Sequence, residues 1–115
     1  LGVVAGDCPG SVVAPTIGFM TDPALLSDSE IEDLLRAHPD WARRADRLER
    51  TYEFADFSEA FGFMTRVAMT SERLFHHPEW SNVWNRVNIA ITDHEVGGIS
   101  NRDLEFVERV DTLTS

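Results

Sequence analysis

The chain contains no lysine, because all ten of its basic residues are arginine. Schiff-base chemistry, a phosphate-binding P-loop and a lysine general base are thereby excluded. Cysteine is nearly absent as well. With Cys8 alone, no internal disulfide can form, and zinc sites built on paired cysteines are ruled out. No apolar run approaches the ~20 residues needed to cross a bilayer, so no membrane partner is expected. Positive charge is scarce too: 20 acidic residues against 10 basic ones give a net charge of −10. A nucleic-acid partner requires a basic surface, so the expectation is a small neutral or cationic ligand, or none.

What remains is an ordinary soluble composition, 43% hydrophobic and 26% charged over 115 residues. That length allows one domain with a modest core, and oligomerisation is an expected source of further stability. Residues 1–20 are Gly-, Val- and Pro-rich, without periodicity or a basic residue. They are expected to be a flexible N-terminal extension rather than a secretory signal, because Asp7, Pro9, Gly10 and Pro15 interrupt any apolar stretch. Cys8 falls within this extension. Residues 21–115 are expected to form the single domain.

From residue 26 the pattern becomes regular. Ser27 or Asp28 can cap a helix whose apolar stripe is Ile31, Leu34 and Leu35, and Pro39 stops it. Alternation then takes over. Leu48, Arg50, Tyr52 and Phe54 share one parity, as in a strand at a sheet surface, and a shorter strand over 41–46 can pair with it. Asp56 and Glu59 have the spacing of a capping box and open the longest helix. Phe57, Phe61, Met64, Val67, Ala68, Ser71 and Leu74 recur along it at helical spacing. After Pro78, the run Val83, Asn85, Val87, Ile89 and Ile91 alternates again, giving one or two strands. Gly97 and Gly98 mark a turn. Ser100 and Asp103 form another capping box before a last helix, with Leu104, Val107, Val110 and Leu113 inward. The order α-β-β-α-β-β-α predicts an α+β domain, a four-stranded antiparallel sheet covered by helices on one face.

Three of the four histidines lie between residues 76 and 94. His76 and His77 end a helix, where the macrodipole favours positive charge. Glu72 precedes His76 by one helical turn and is placed to orient its ring. His94 follows a strand, between Asp93 and Glu95. Taken singly, each histidine fits a helix cap or a strand end, and Asp103 fits the third position of its capping box. Glu72, His76 and His94 could also share a metal, since Glu and His at i, i+4 can do so.

The joint spacing is more specific. Glu72 is followed after three residues by His76, His77 and Pro78; five residues lead to Trp84, nine more to His94, and eight to Asp103. This resembles the signature of the pterin-4a-carbinolamine dehydratase family at every interval. Phe61-Gly-Phe-Met-Thr-Arg-Val-Ala68, His76-His-Pro-Glu-Trp80, Asn82-Val-Trp-Asn-Arg-Val87 and Gly97-Gly-Ile-Ser100 resemble blocks of the same family.

The resemblance implies the fold order already read from periodicity, a cytoplasmic homodimer or homotetramer, and an active site without metal or organic cofactor. It implies dehydration of 4a-hydroxytetrahydrobiopterin, the product released by aromatic amino-acid hydroxylases, to quinonoid dihydropterin. By the same resemblance His76, His77 and His94 are catalytic, and Glu72 and Asp103 orient and tune them. Trp41 and Trp84 are candidates to shape the substrate pocket. Two further pocket positions depart from the commoner pattern. Phe75 stands where the family often has Asn or Asp, and Asp93, where a small hydroxyl residue is common, adds charge beside His94. The competing reading is a non-catalytic binding, assembly or coactivator protein on the same fold. A protein kept only for binding has no need of three histidines, and all three are here.

Overall fold

Each helix begins where a side chain replaces a missing backbone partner. The computed structural model describes residues 22–114, so the expected extension over 1–20, with Cys8, lies outside the described residues. Ser27 caps α1 (Asp28–Ala37): its hydroxyl accepts from the Glu30 N–H, and Glu30 accepts in return from the Ser27 N–H. The helix ends two residues before Pro39 and buries Ile31 and Leu34. Ser100 and Asp103 cap α3 (Asn101–Thr112) reciprocally, as their spacing predicts. At the start of α2 (Phe57–Leu74) the arrangement differs by one residue. Asp56 accepts from the Glu59 N–H, but Glu59 reaches back to the Ala55 N–H instead of that of Asp56.

The strands β1 (Ala42–Arg44), β2 (Arg47–Glu53), β3 (Glu79–Val83) and β4 (Arg86–Ile91) form one sheet in the order β1-β2-β4-β3. All three pairings are antiparallel. Side chains of successive strand residues point to opposite faces. Leu48, Tyr52, Val87, Ile89 and Ile91 are therefore buried against the helices, while Glu49, Thr51 and Glu53 take the other face. Phe63 and Val67 of α2 and Phe106, Val107 and Val110 of α3 complete the core, all fully buried. Each such side chain contributes about 1.5–3 kcal/mol on leaving water. The expected α+β architecture, with helices on one face of a four-stranded antiparallel sheet, is what the chain forms.

Arg50 shares the inward parity of Leu48 and Tyr52, which needs a compensating charge. Asp111, near the end of α3, supplies it. One carboxylate oxygen accepts from the Arg50 guanidinium at 2.8 Å, the Tyr52 hydroxyl at 2.6 Å and the Trp41 indole at 2.9 Å. The other oxygen meets His38 Nδ1 at 2.8 Å. The Arg50 guanidinium also lies 4.0 Å from the Tyr52 ring centre, a cation–π contact. One side chain thus ties α1, β2 and α3 together.

Two of the periodic patterns in the sequence do not map onto a single buried face. In α2 the buried face is Ala60, Phe63, Val67, Thr70, Ser71 and Leu74, whereas Phe57 and Phe61 are exposed. The helix carries apolar residues on two faces, so helical spacing alone returned a mixture of both. Val83 does not share the inward phase of Val87. A two-residue turn at Trp84 and Asn85 reverses the chain between them, leaving Val83 outside and Val87 inside. Trp84 takes φ +52° in that turn.

Candidate active site

The histidine pair is placed by the way α2 ends. Phe75 adopts the left-handed conformation (φ 52°, ψ 40°) as its C-cap. The Phe75 N–H donates to the Glu72 carbonyl and the His76 N–H to the Ser71 carbonyl, the two bonds of a Schellman turn. That turn sends two adjacent side chains to opposite environments. His76 is buried at 8% exposure, while His77 stays in solvent.

Different carboxylates hold the two rings. His76 Nε2 lies 2.5 Å from Asp103 Oδ1, and Asp103 is fully buried. Its second oxygen accepts from the Ser100 N–H at 2.8 Å, so the carboxylate that caps α3 also orients His76. Glu72, read from the sequence as the partner of His76, instead meets His77 Nε2 at 2.7 Å on the surface. An i, i+4 spacing on a regular helix would join Glu72 to His76. The left-handed cap breaks that register and swings His76 inward.

His94 reaches the same region through the sheet. Glu79 opposes Ala90 in the β3–β4 register, so the start of β3 and the end of β4 share one end of the sheet. His77 and Pro78 precede that start, and His94 follows that end by three residues. The His94 side chain is 79% exposed, with Nε2 at 3.7 Å from Glu79 Oε2. That distance is an ion-pair separation rather than a hydrogen bond. The other Glu79 oxygen accepts from the Arg47 guanidinium at 2.5 Å. Sequence reasoning missed Glu79. Its place directly after Pro78 was the available signal, and only the strand register gives it meaning.

Asp93 and the tryptophans sit differently from expectation. The Asp93 side chain is buried and bound to the Ser100 hydroxyl and the Glu95 N–H, so it faces the protein interior rather than a pocket. The carboxylate within reach of His94 belongs to Glu79. Trp41 is a core residue at 3% exposure, edge-on to Tyr52 and bonded to Asp111. Trp84 lies in the hairpin turn at the far end of β3 from His77. Within one chain neither tryptophan is brought to the histidines. Phe75 does lie beside them and is 64% exposed.

Among the described residues no three His, Cys, Asp or Glu side chains converge as a metal site would require. Glu72, His76 and His94, the set weighed as ligands, are held by three different partners. No helix among the described residues is long and apolar enough to cross a membrane.

A family model described as "Pterin 4 alpha carbinolamine dehydratase" matches residues 24–113. The chain belongs to the pterin-4a-carbinolamine dehydratase family. A Synechococcus sp. (strain WH7803) protein named "Putative pterin-4-alpha-carbinolamine dehydratase" is 50% identical over 90 residues, covering 78% of this chain and 97% of that protein. A protein of the same name from Rhizorhabdus wittichii is 51% identical over 90 residues, covering 76% and 93%. The crystal structure of a transcriptional coactivator/pterin dehydratase from Brucella melitensis superimposes with a TM-score of 0.75 at 35% identity. It covers 78% of this chain and 98% of its own. Within this dehydratase family fold, the end of the sheet that gathers the histidines also receives the N-terminus of α3, with Asp103 in its first turn.

Proposed function

We propose that this chain dehydrates 4a-hydroxytetrahydrobiopterin to quinonoid dihydropterin by histidine acid/base catalysis, recycling the pterin that aromatic amino-acid hydroxylases release in the cytoplasm. The observation that carries this reading is the buried His76–Asp103 pair, set at the end of the sheet where His77 and His94 remain open to solvent. A carboxylate fixed on one ring nitrogen leaves the other free for proton transfer, the logic by which a buried aspartate orients a catalytic imidazole.

The reaction needs one proton given and one taken. The lone pair of N5 expels the oxygen from C4a, an acid protonates that oxygen as it leaves as water, and a base removes a ring proton to give the neutral product. Imidazoles titrate near neutrality and can serve either step, each contributing roughly 10²–10⁴-fold. His76, His77 and His94 are the proposed acid and base groups. Asp103 and Glu72 orient His76 and His77 respectively. No metal or organic cofactor enters these steps.

Stopped-flow measurement of 4a-hydroxytetrahydropterin dehydration tests the reading. Acceleration above the spontaneous rate, unchanged by a chelator, is expected. No acceleration would contradict it, and loss on chelation would transfer the chemistry to a metal.

A second role as a binding protein is supported by the Brucella melitensis relative, which is described as a coactivator as well as a dehydratase. The second apolar face of α2 supports self-association into a dimer or tetramer. Phe57 and Phe61, 5.8 Å apart between ring centres, are about half exposed, as is Met69. Such a patch on a small soluble domain marks an interaction surface.

A further inference from the structure

Behind the His76–Asp103 pair lies a second buried carboxylate that the proposed chemistry does not use. Asp93 is 2% exposed, Ser100 and Asp103 0%. The three form a continuous chain to the histidine. One Asp93 oxygen accepts from the Ser100 hydroxyl at 2.8 Å. The Ser100 N–H donates to Asp103 Oδ2 at 2.8 Å, and Asp103 Oδ1 meets His76 Nε2 at 2.5 Å.

Asp93 also organises the segment that carries His94. Its other carboxylate oxygen accepts from the Glu95 N–H at 3.1 Å. Its carbonyl accepts from the N–H groups of Val96, Gly97 and Gly98, and its own N–H donates to the Gly98 carbonyl. Gly97 holds φ +74° in this turn, a conformation that favours glycine. One residue therefore touches the supports of both His76 and His94.

We propose that Asp93 is a positioning residue for both histidines: through Ser100 it fixes the carboxylate that holds His76, and through its own turn it fixes where His94 is presented. A carboxylate suits this position because it has two acceptor oxygens on a short stem. One serves the Glu95 N–H and the other the Ser100 hydroxyl, a span that a single hydroxyl oxygen does not cover. The Ser100 oxygen is in turn left to accept from the Arg102 N–H, so all its capacity is directed. Nearby charges do not duplicate the role: Glu95 pairs with Arg102, Glu72 with His77 and Glu79 with Arg47 and His94. Misplacing a catalytic group by about 1 Å can slow a reaction by roughly 10²-fold.

This inference rests on the proposed dehydration, so its test has a readout that does not require turnover. The bridging proton between His76 and Asp103 should give a low-field proton NMR resonance in the resting full-length protein, absent in His76→Ala. Asp93→Asn keeps the shape but replaces one acceptor with a donor. It should shift that resonance and lower kcat about tenfold, with KM within about twofold. Wild-type kcat with an unmoved resonance would overturn the proposal. If Asp93→Asn fails to fold, Asp93→Ser is measured the same way, with the same expectation and the same overturning result. A wild-type protein that does not dehydrate the pterin would instead sink the function, while the resonance shift would still judge the link between Asp93 and His76.

Discussion

Asp111 gathers four partners, two from β2 and two from the segment between α1 and β1, onto one carboxylate, and the consequences are electrostatic. Burial alone would raise its pKa. The hydrogen bonds from Tyr52, Trp41 and His38 and the charge of Arg50 outweigh burial and hold it below the usual carboxylate range. Tyr52 moves the opposite way: burial, then the hydrogen bond to Asp111, push its hydroxyl well above the ordinary phenol value. A carboxylate with a lowered folded-state pKa contributes stability that is complete above its unfolded value near 3.8. That contribution is lost as pH falls through the folded value. Asp111→Asn should therefore lower stability at pH 7 by about 3 kcal/mol, because Arg50 keeps its buried charge and loses its main partner. The deficit relative to wild type should shrink as the pH falls below that range. Urea melts at pH 7 and pH 3 check this, and a deficit that grows on acidification would contradict it. None of this network was legible in the sequence. Its members lie between 38 and 111 with no motif linking them, and only the inward parity of Arg50 hinted that a counter-charge was required.

At the scale of elements, local signals were the readable ones. The caps at Ser27 and Ser100 and the alternation in β2 and β4 depend on residues within a few positions of each other, and they appear as expected. The face of α2 was not readable, because burial there is decided by the sheet it meets and the second apolar stripe mimics the first. That stripe carries a prediction. Phe61→Glu, at a position 57% exposed, should shift the mass of the folded protein in light scattering toward monomer and lower its melting temperature by the stability that association adds. An unchanged mass would remove this face from self-association. The α2 C-cap carries another. Phe75 holds φ 52° without being glycine or asparagine, a conformation that costs an ordinary residue about 1–2 kcal/mol. Where relatives by resemblance carry Asn or Asp, the backbone explains the preference without invoking the pterin. Phe75→Gly should relieve that strain and raise stability by about 0.5–1 kcal/mol in thermal or urea melts, and a loss would show that the aromatic side chain contributes more than the strain costs.

Across the whole molecule, the site exists because the β3–β4 hairpin brings its two open ends together. His77 and His94 are 17 positions apart, and the register Glu79 to Ala90 puts both at one end of the sheet. The N-terminus of α3 then delivers Asp103 to the same end. The spacing in the sequence singled out the histidines and the two carboxylates as candidates and paired Glu72 with His76, whereas the structure pairs Glu72 with His77 and Asp103 with His76. That choice is made by a left-handed residue at the end of α2, a feature that phenylalanine does not announce. The same limit applies to Trp84, whose interval matched, and to Trp41, a pocket candidate by resemblance alone: the fold sends them to the far turn and to the core. In the proposed reaction His76, held by Asp103, carries proton transfer in pterin dehydration. The most direct test of this role is stopped-flow dehydration of 4a-hydroxytetrahydropterin by wild type and His76→Ala, with circular dichroism confirming that both are folded. A loss of roughly 10²-fold or more in kcat is predicted for the variant. A folded His76→Ala protein with wild-type turnover would contradict it.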